Sequence, residues 1–142
     1  MIVLDASVVV KTYLAEDGSE AAAALVTGPA RLVAPELIRL EVAAAFCRRV
    51  RRWELDPAEA RVRADHWLGQ LRRGLFTLTP DRDLLPDATE LALELRHPLQ
   101  DCLYLAAARR AGAPLVTADR AFHDRAAARF PEVRLLAGPP AD

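Results

Sequence analysis

The chain has 142 residues, 52% apolar and 27% charged, with a formal net charge of -1. That length suits a single domain over residues 1–142 with a sizeable core, and that balance excludes a disordered chain. The near-neutral charge offers no global attraction to nucleic acid or to an anionic membrane, no apolar stretch approaches a membrane span, and no signal peptide is expected before the acid at position 5.

The basic residues are lopsided: 18 Arg against one Lys, Lys11, a bias that reads as a GC-rich genome. Cys47 and Cys102 make no disulfide framework, and the histidines show no ligand spacing. Both cysteines fall in apolar helical contexts, so both are expected to be small buried hydrophobes in a reducing cytoplasm.

In chain order, Ile2 to Leu4 reads as a short buried strand, followed by helices over Ala6–Leu14 and Gly18–Val26. Gly28-Pro29 is a turn and Arg31–Ala34 a second strand. Pro35 suits the first turn of a helix running to about Trp53. Asp56-Pro57 reads as an N-cap with Pro at N1, opening a helix to about Arg73 that Gly74 closes. Leu75–Leu78 is a third strand. Asp81–Leu95 is helical, with Pro86 in its first turns or at a break, and Leu99–Ala111 is a helix stopped by Gly112. Leu115–Thr117, a helix over Asp119–Arg129 and the strand Val133–Leu136 complete the pattern, with a loose Gly138-Pro139-Pro140 tail. Short apolar strands alternating with amphipathic helices imply an α/β domain with a parallel sheet. The helical pair from Glu36 to Arg73 is too long for a simple crossover and is expected to project as a hairpin.

Four acids stand where an acid has little local reason to be. Asp5 and Asp119 each end an apolar strand-like run. Glu41 has Leu37, Ile38, Ala44 and Ala45 as its helical neighbours, and Asp101 opens the run Cys102-Leu103-Tyr104-Leu105-Ala106. Taken singly, Asp5 and Asp119 could be helix N-caps and Asp101 a first-turn acid favoured by the helix dipole. Taken together they could converge. Residues just past the ends of parallel strands share one edge of the sheet, and ligands bind there where the crossovers change direction. If strand four returns to the free side of strand one, Asp5 and Asp119 become neighbours. Oxygen ligands without His or Cys suit the hard cations Mg²⁺ and Mn²⁺, and the natural chemistry is phosphodiester hydrolysis by metal-activated water.

At these residues the chain resembles PIN-domain ribonucleases of the VapC toxin type. The resemblance lies in Asp5-Ala6-Ser7 after a three-residue strand, Glu41 in a helix entered through Ala34-Pro35-Glu36-Leu37, the run from Asp101 to Ala106, and Leu115-Val116-Thr117-Ala118-Asp119-Arg120 with Phe122. It covers nearly the whole chain, in order. It implies a three-layer α/β/α sandwich with a central parallel sheet of about five strands, and Mg²⁺- or Mn²⁺-dependent cleavage of RNA. It further implies a cognate antitoxin and a homodimer. By motif match Asp5, Glu41, Asp101 and Asp119 form the acidic metal and catalytic site, with Ser7 and Thr117 as supporting hydroxyls. Many relatives carry Asn three residues after the helical Glu; here that position is Ala44.

Arg48, Arg49, Arg51 and Arg52 form a basic run on the hairpin, with Arg72 and Arg73 at its far end. Such a run is either a solvated helix face or a cradle for the RNA backbone, to which Arg109, Arg110, Arg120 and Arg125 could add. Trp53 and Trp67 are expected to pack in the core or a dimer seam, and Tyr104 beneath the site. His97 and His123 read as ordinary surface histidines, and Asp124 as a possible outer acid. The rival reading is a non-catalytic PIN-like module that binds RNA or a partner. A haloacid dehalogenase-type phosphatase needs a second Asp two residues after Asp5, where Ser7 stands, and no Gly-x-Gly-x-x-Gly follows the first strand. A flap-type DNA nuclease stays open on chemistry alone, and the missing large insertions count against it.

Overall fold

Among the described residues, five strands of three or four residues make one sheet. They are β1 (Ile2–Leu4), β2 (Leu32–Pro35), β3 (Phe76–Thr79), β4 (Leu115–Thr117) and β5 (Val133–Leu135). In this computed structural model, which describes residues 1–137, every strand pair is parallel and the order is β3-β2-β1-β4-β5. The tail at Gly138-Pro139-Pro140 lies outside the described residues. A parallel sheet is covered on both faces, so its inner strands read as continuous apolar runs: β2 and β4 are buried at every position, whereas edge strands β3 and β5 are buried only in part.

Helices α1 (Ala6–Val10) and α2 (Ser19–Thr27) join β1 to β2, and α3 (Ile38–Arg51) and α4 (Pro57–Arg72) join β2 to β3. Helices α5 (Asp81–Leu95) and α6 (Leu99–Ala111) carry the chain back to β4, and α7 (Arg120–Ala126) leads to β5. The helices flank the sheet as an α/β/α sandwich. From Cys102 to Ala108 every residue of α6 is buried, as expected of a helix wedged between a sheet and a second helix. It packs on β1, β2 and β4, with α5 against it. Gly74 (φ 84°) and Gly112 (φ 62°) end α4 and α6 in the left-handed conformation that glycine adopts without strain.

The α3–α4 hairpin is fastened at its base by aromatic packing. Tyr13, Phe46, Trp67 and Phe76 meet edge to face at centroid distances of 5.4 to 6.2 Å, and the Trp67 indole donates to the Arg39 carbonyl. Trp67 is therefore core, as expected. Trp53, at the hairpin tip, is not: it is 95% exposed with φ 59°, an uncommon conformation for a bulky residue.

Other local expectations are corrected in part. Pro35 does not open a helix; it ends β2 opposite Thr79, and the ladder continues through Glu36 N–H to the Thr79 carbonyl, so α3 starts only at Ile38. The missing proline N–H costs nothing at a strand end. Pro86 falls in the early turns of α5, one of the two places expected for it, and the helix runs through it unbroken. Asp56 is the N-cap residue of α4 with Pro57 opening the helix, as expected, though its side chain accepts no capping bond. Cys47 is exposed, because it falls on the solvent side of α3; Cys102 is buried as expected.

Candidate active site

Chain direction brings the four acids to one edge. The sheet changes direction between β1 and β4, where Val3 pairs with Leu115 and Leu4 with Val116. Asp5 directly follows β1, and its N–H continues the ladder to the Val116 carbonyl at 3.0 Å. Asp119 follows β4 by two residues. Helix α3 starts just past the end of β2, and α6 must run back down the sheet to reach β4, so both helices begin at this edge. Glu41 and Asp101 sit in their first turns, where the helix dipole favours negative charge.

Each carboxylate is held by one oxygen. Asp5, 5% exposed, accepts from Ser7 Oγ and Thr117 Oγ1 at 2.7 Å each through Oδ2. Those hydroxyls accept in turn from the backbone: Ala118 N–H donates to Ser7 and Asp119 N–H to Thr117, both at 3.0 Å. Asp119 Oδ1 accepts the Phe122 N–H at 3.1 Å. Asp101 Oδ2 lies 2.6 Å from His97 Nε2. Glu41 Oε1 accepts from Tyr104 at 2.7 Å, a hydroxyl carried one turn beyond Asp101 on buried α6. Tyr104 thus gives Glu41 the polar support that Ala44 does not.

The second oxygens of all four acids accept no hydrogen bond among the described residues, and no buried side-chain nitrogen or oxygen there lacks a partner. The spare oxygens are therefore accessible, at a cavity of about 450 Å³ that all four acids line. Burial pushes the Asp5 carboxyl above its ordinary range; the Ser7 and Thr117 hydroxyls counter this in part, and the charges of Asp101 and Asp119 add to it. Burial also raises Glu41, with the Tyr104 bond and Arg48 opposing and Asp5 and Asp101 reinforcing. Asp101 is raised by burial and by Asp119, against the bond from His97.

Anionic oxygen donors without thiolate suit a hard divalent cation, and four accessible oxygens on one cavity fit such an ion. As they stand, no three Asp, Glu, His or Cys side chains among the described residues are close enough to hold one. Carboxylates repel one another, and a cation's attraction is what would draw the spare oxygens inward.

Arg48, Arg49, Arg52 and Lys11 line the same cavity. Arg51 points elsewhere, into a separate cavity beside Trp53 and Leu55. Glu16, at the cavity rim, pairs with both Lys11 (3.2 Å) and Arg49, and Arg49 also reaches Glu54 at 3.3 Å. Arg109 pairs with Glu132 and lies over the Phe130 ring, lining yet another cavity. Asp124 pairs with His123 on the surface.

Two participants escape sequence reasoning. Glu16 sits in an aperiodic segment with no signal beyond its charge. His97 is not an ordinary surface histidine; its side chain is 11% exposed, stacked on Phe122 and bonded to Asp101. Its i,i+4 spacing to Asp101 is a usable signal, obscured because Pro98 separates it from the helix.

A family model for the PIN domain matches residues 2–128. No curated protein matches the chain. The chain belongs to the PIN domain family, whose members are typically nucleases that generally use divalent metal ions.

Proposed function

We propose that this protein is an Mg²⁺- or Mn²⁺-dependent endoribonuclease and that Asp5, Glu41, Asp101 and Asp119 are its metal-binding and catalytic acids. The observation that carries this reading is the cavity itself, where four carboxylates, each fastened by one oxygen and free at the other, face Arg48, Arg49, Arg52 and Lys11. The bound ion would supply a water nucleophile at neutral pH and positive charge against the charge developing on the phosphate. The acids hold that ion. Ser7, Thr117 and Tyr104 orient the acids, and the cations receive flanking phosphates, which positions RNA without reading its sequence.

Cleavage of an RNA substrate should require Mg²⁺ or Mn²⁺ and stop with EDTA. Asp5→Ala, Asp101→Ala and Asp119→Ala should each remove most activity, and Ser7→Ala and Thr117→Ala less. Full cleavage by all three acid variants would refute the assignment. One observation favours a non-catalytic binding module: no three of the acids close on a common point. The accessible spare oxygens answer it, since packing alone would have no use for them.

The proposal extends to a toxin of a toxin–antitoxin pair, acting in the cytoplasm as a single-domain homodimer. No described helix is long and apolar enough to cross a membrane. An antitoxin segment would anchor on the exposed apolar side chains of the hairpin, Trp53, Val62 and Leu68, and pass a cationic side chain into the acidic cavity. Expression alone should arrest growth, and co-expression with the antitoxin should restore it; harmless expression of folded, metal-binding protein would remove the toxin role and leave the nuclease.

A further inference from the structure

His97 occupies a joint built to aim it. It lies between α5 and α6, with Arg96 before it in the left-handed conformation (φ 52°) and Pro98 after it. A non-glycine residue held there is a local strain that the surrounding structure must sustain. The His97 N–H bonds back to the Ala92 carbonyl at 3.2 Å. The backbone is thereby fixed on both sides, and the ring is fixed too: it stacks on Phe122 at a centroid distance of 4.9 Å and an interplanar angle of 24°. Its Nε2 ends 2.6 Å from Asp101 Oδ2.

An ionised carboxylate only accepts, so Nε2 carries the proton in this contact. The bond takes up one oxygen of Asp101 and leaves the other, Oδ1, for the cavity that Asp101 lines. Phe122 braces a second acid as well, because its N–H donates to Asp119 Oδ1. Phe122 thus supports two of the four acids, one through its ring against His97 and the other through its backbone N–H.

Resting on the nuclease reading above, we infer that His97 is a positioning residue for the metal site: its Nε2–H orients Asp101 so that the free oxygen meets the cation, and it does not touch the substrate. Partners of metal-binding carboxylates typically change metal affinity by about 10- to 100-fold when removed.

Three substitutions separate the donor from the ring. His97→Ala removes both. His97→Gln keeps an N–H donor of similar reach and loses the ring. His97→Phe keeps the stack on Phe122 and loses the donor. Calorimetric titration of the full chain with Mn²⁺ should show affinity lower by about 10- to 100-fold in the Ala and Phe variants and mostly restored in Gln. The Mn²⁺ concentration for half-maximal cleavage should shift by the same factor, with the KM for RNA at saturating metal unchanged.

Wild-type affinity in His97→Ala overturns the inference. So does rescue by Phe and not Gln, which would make His97 a packing residue, and so does failure of both. Asp101→Asn tells the two readings apart. If it loses Mn²⁺ while His97→Ala does not, the metal site stands and only the role of His97 falls. If neither substitution matters, or wild type takes up no Mn²⁺, the metal assignment falls and this inference with it.

Discussion

Asp5→Asn should make the metal-free protein more stable. Asp5 is a nearly buried carboxylate with two hydroxyl donors and two acids close enough to raise its pKa. The shift is upward, so burial and like charge outweigh the two hydrogen bonds. Asparagine retains an oxygen for Ser7 and Thr117. Each bond weakens by roughly 1 kcal/mol when its acceptor loses charge, while the desolvation penalty that disappears is several kcal/mol. The net gain at neutral pH is about 1–2 kcal/mol, or a Tm higher by about 3–6 °C for a chain of this size.

The sign of the pH dependence follows from the same shift. The folded-state pKa is raised above the ordinary value of 3.8, so between the two values the folded state binds more protons than the unfolded state. Wild-type stability therefore improves as pH falls through the folded pKa, and the advantage of the Asp5→Asn variant shrinks over that window, which lies above pH 3.8. Mn²⁺ should reverse the ranking: at a hundredfold excess over its Kd the ion adds about 2.7 kcal/mol to wild type, on the order of 8 °C, and little to the variant. Thermal melts of both proteins across pH, with EDTA and with Mn²⁺, test all of this. A metal-free variant less stable than wild type at neutral pH, or an advantage that grows on acidification, would refute the reasoning.

Tyr104→Phe removes the hydroxyl that lowers the Glu41 pKa, so the acid limb of the pH–rate profile should move to higher pH; an unmoved limb would mean that Glu41 does not titrate in catalysis. Arg48→Ala and Arg52→Ala should each flatten the salt dependence of RNA binding by about 0.7 in slope, and Arg51→Ala should leave it alone because that side chain lines a different cavity. Equal effects at all three positions, measured by fluorescence anisotropy over a salt series, would show that the cavity does not define the RNA path. Glu16→Gln should release Lys11 and Arg49 for phosphate, tightening RNA binding at low salt and steepening the slope; weaker binding would mean that Glu16 holds those cations in place for RNA.

What is legible in the sequence follows from how local the signal is. Asp5 and Asp119 are readable because an acid directly after, or two residues after, a short strand-like run in an α/β pattern lies at the strand end. Asp101 is readable only conditionally, since its approach depends on the direction of α6, which the short link through Gly112 to β4 then enforces. The sheet order, with β4 beside β1, settles whether the strand-end acids meet, and no local pattern encodes it. Tyr104 is placed near the site by spacing, but its reach to Glu41 depends on the tertiary fold that brings α3 and α6 to the same edge. Glu16 is missed because its bridging role needs Arg49, which only the tertiary fold brings to it, and His97 because Pro98 obscures its i,i+4 spacing to Asp101 and its stack on Phe122 is tertiary. Cys47 and Pro35 are misread through composition, because an apolar neighbourhood does not say which side of a helix faces water, and a proline suits a strand end as well as a helix start.

The way the acids are fastened makes α6 the element on which the site depends. It carries Asp101 in its first turn and the Tyr104 hydroxyl that fixes Glu41 on α3, so half of the acidic set takes its geometry from one helix. That helix is buried from Cys102 to Ala108, and Ala106, Ala107 and Ala108 provide no bulk to hold it off the sheet. Close packing of this kind resists displacement, because a shift of the helix opens voids or forces overlaps on several neighbours together. Asp5 and Asp119 are tied to each other through Thr117, which donates to one carboxylate and accepts the backbone N–H of the other residue. The β1–β4 junction therefore carries two of the acids, while α6 carries a third and fixes the fourth, Glu41 on α3, through Tyr104. The unfavourable charge is confined between these elements, and every acid keeps one free oxygen. Repulsion that would otherwise spread four flexible carboxylates is taken up by the fold, which leaves the electrostatic strain available to a cation that relieves it.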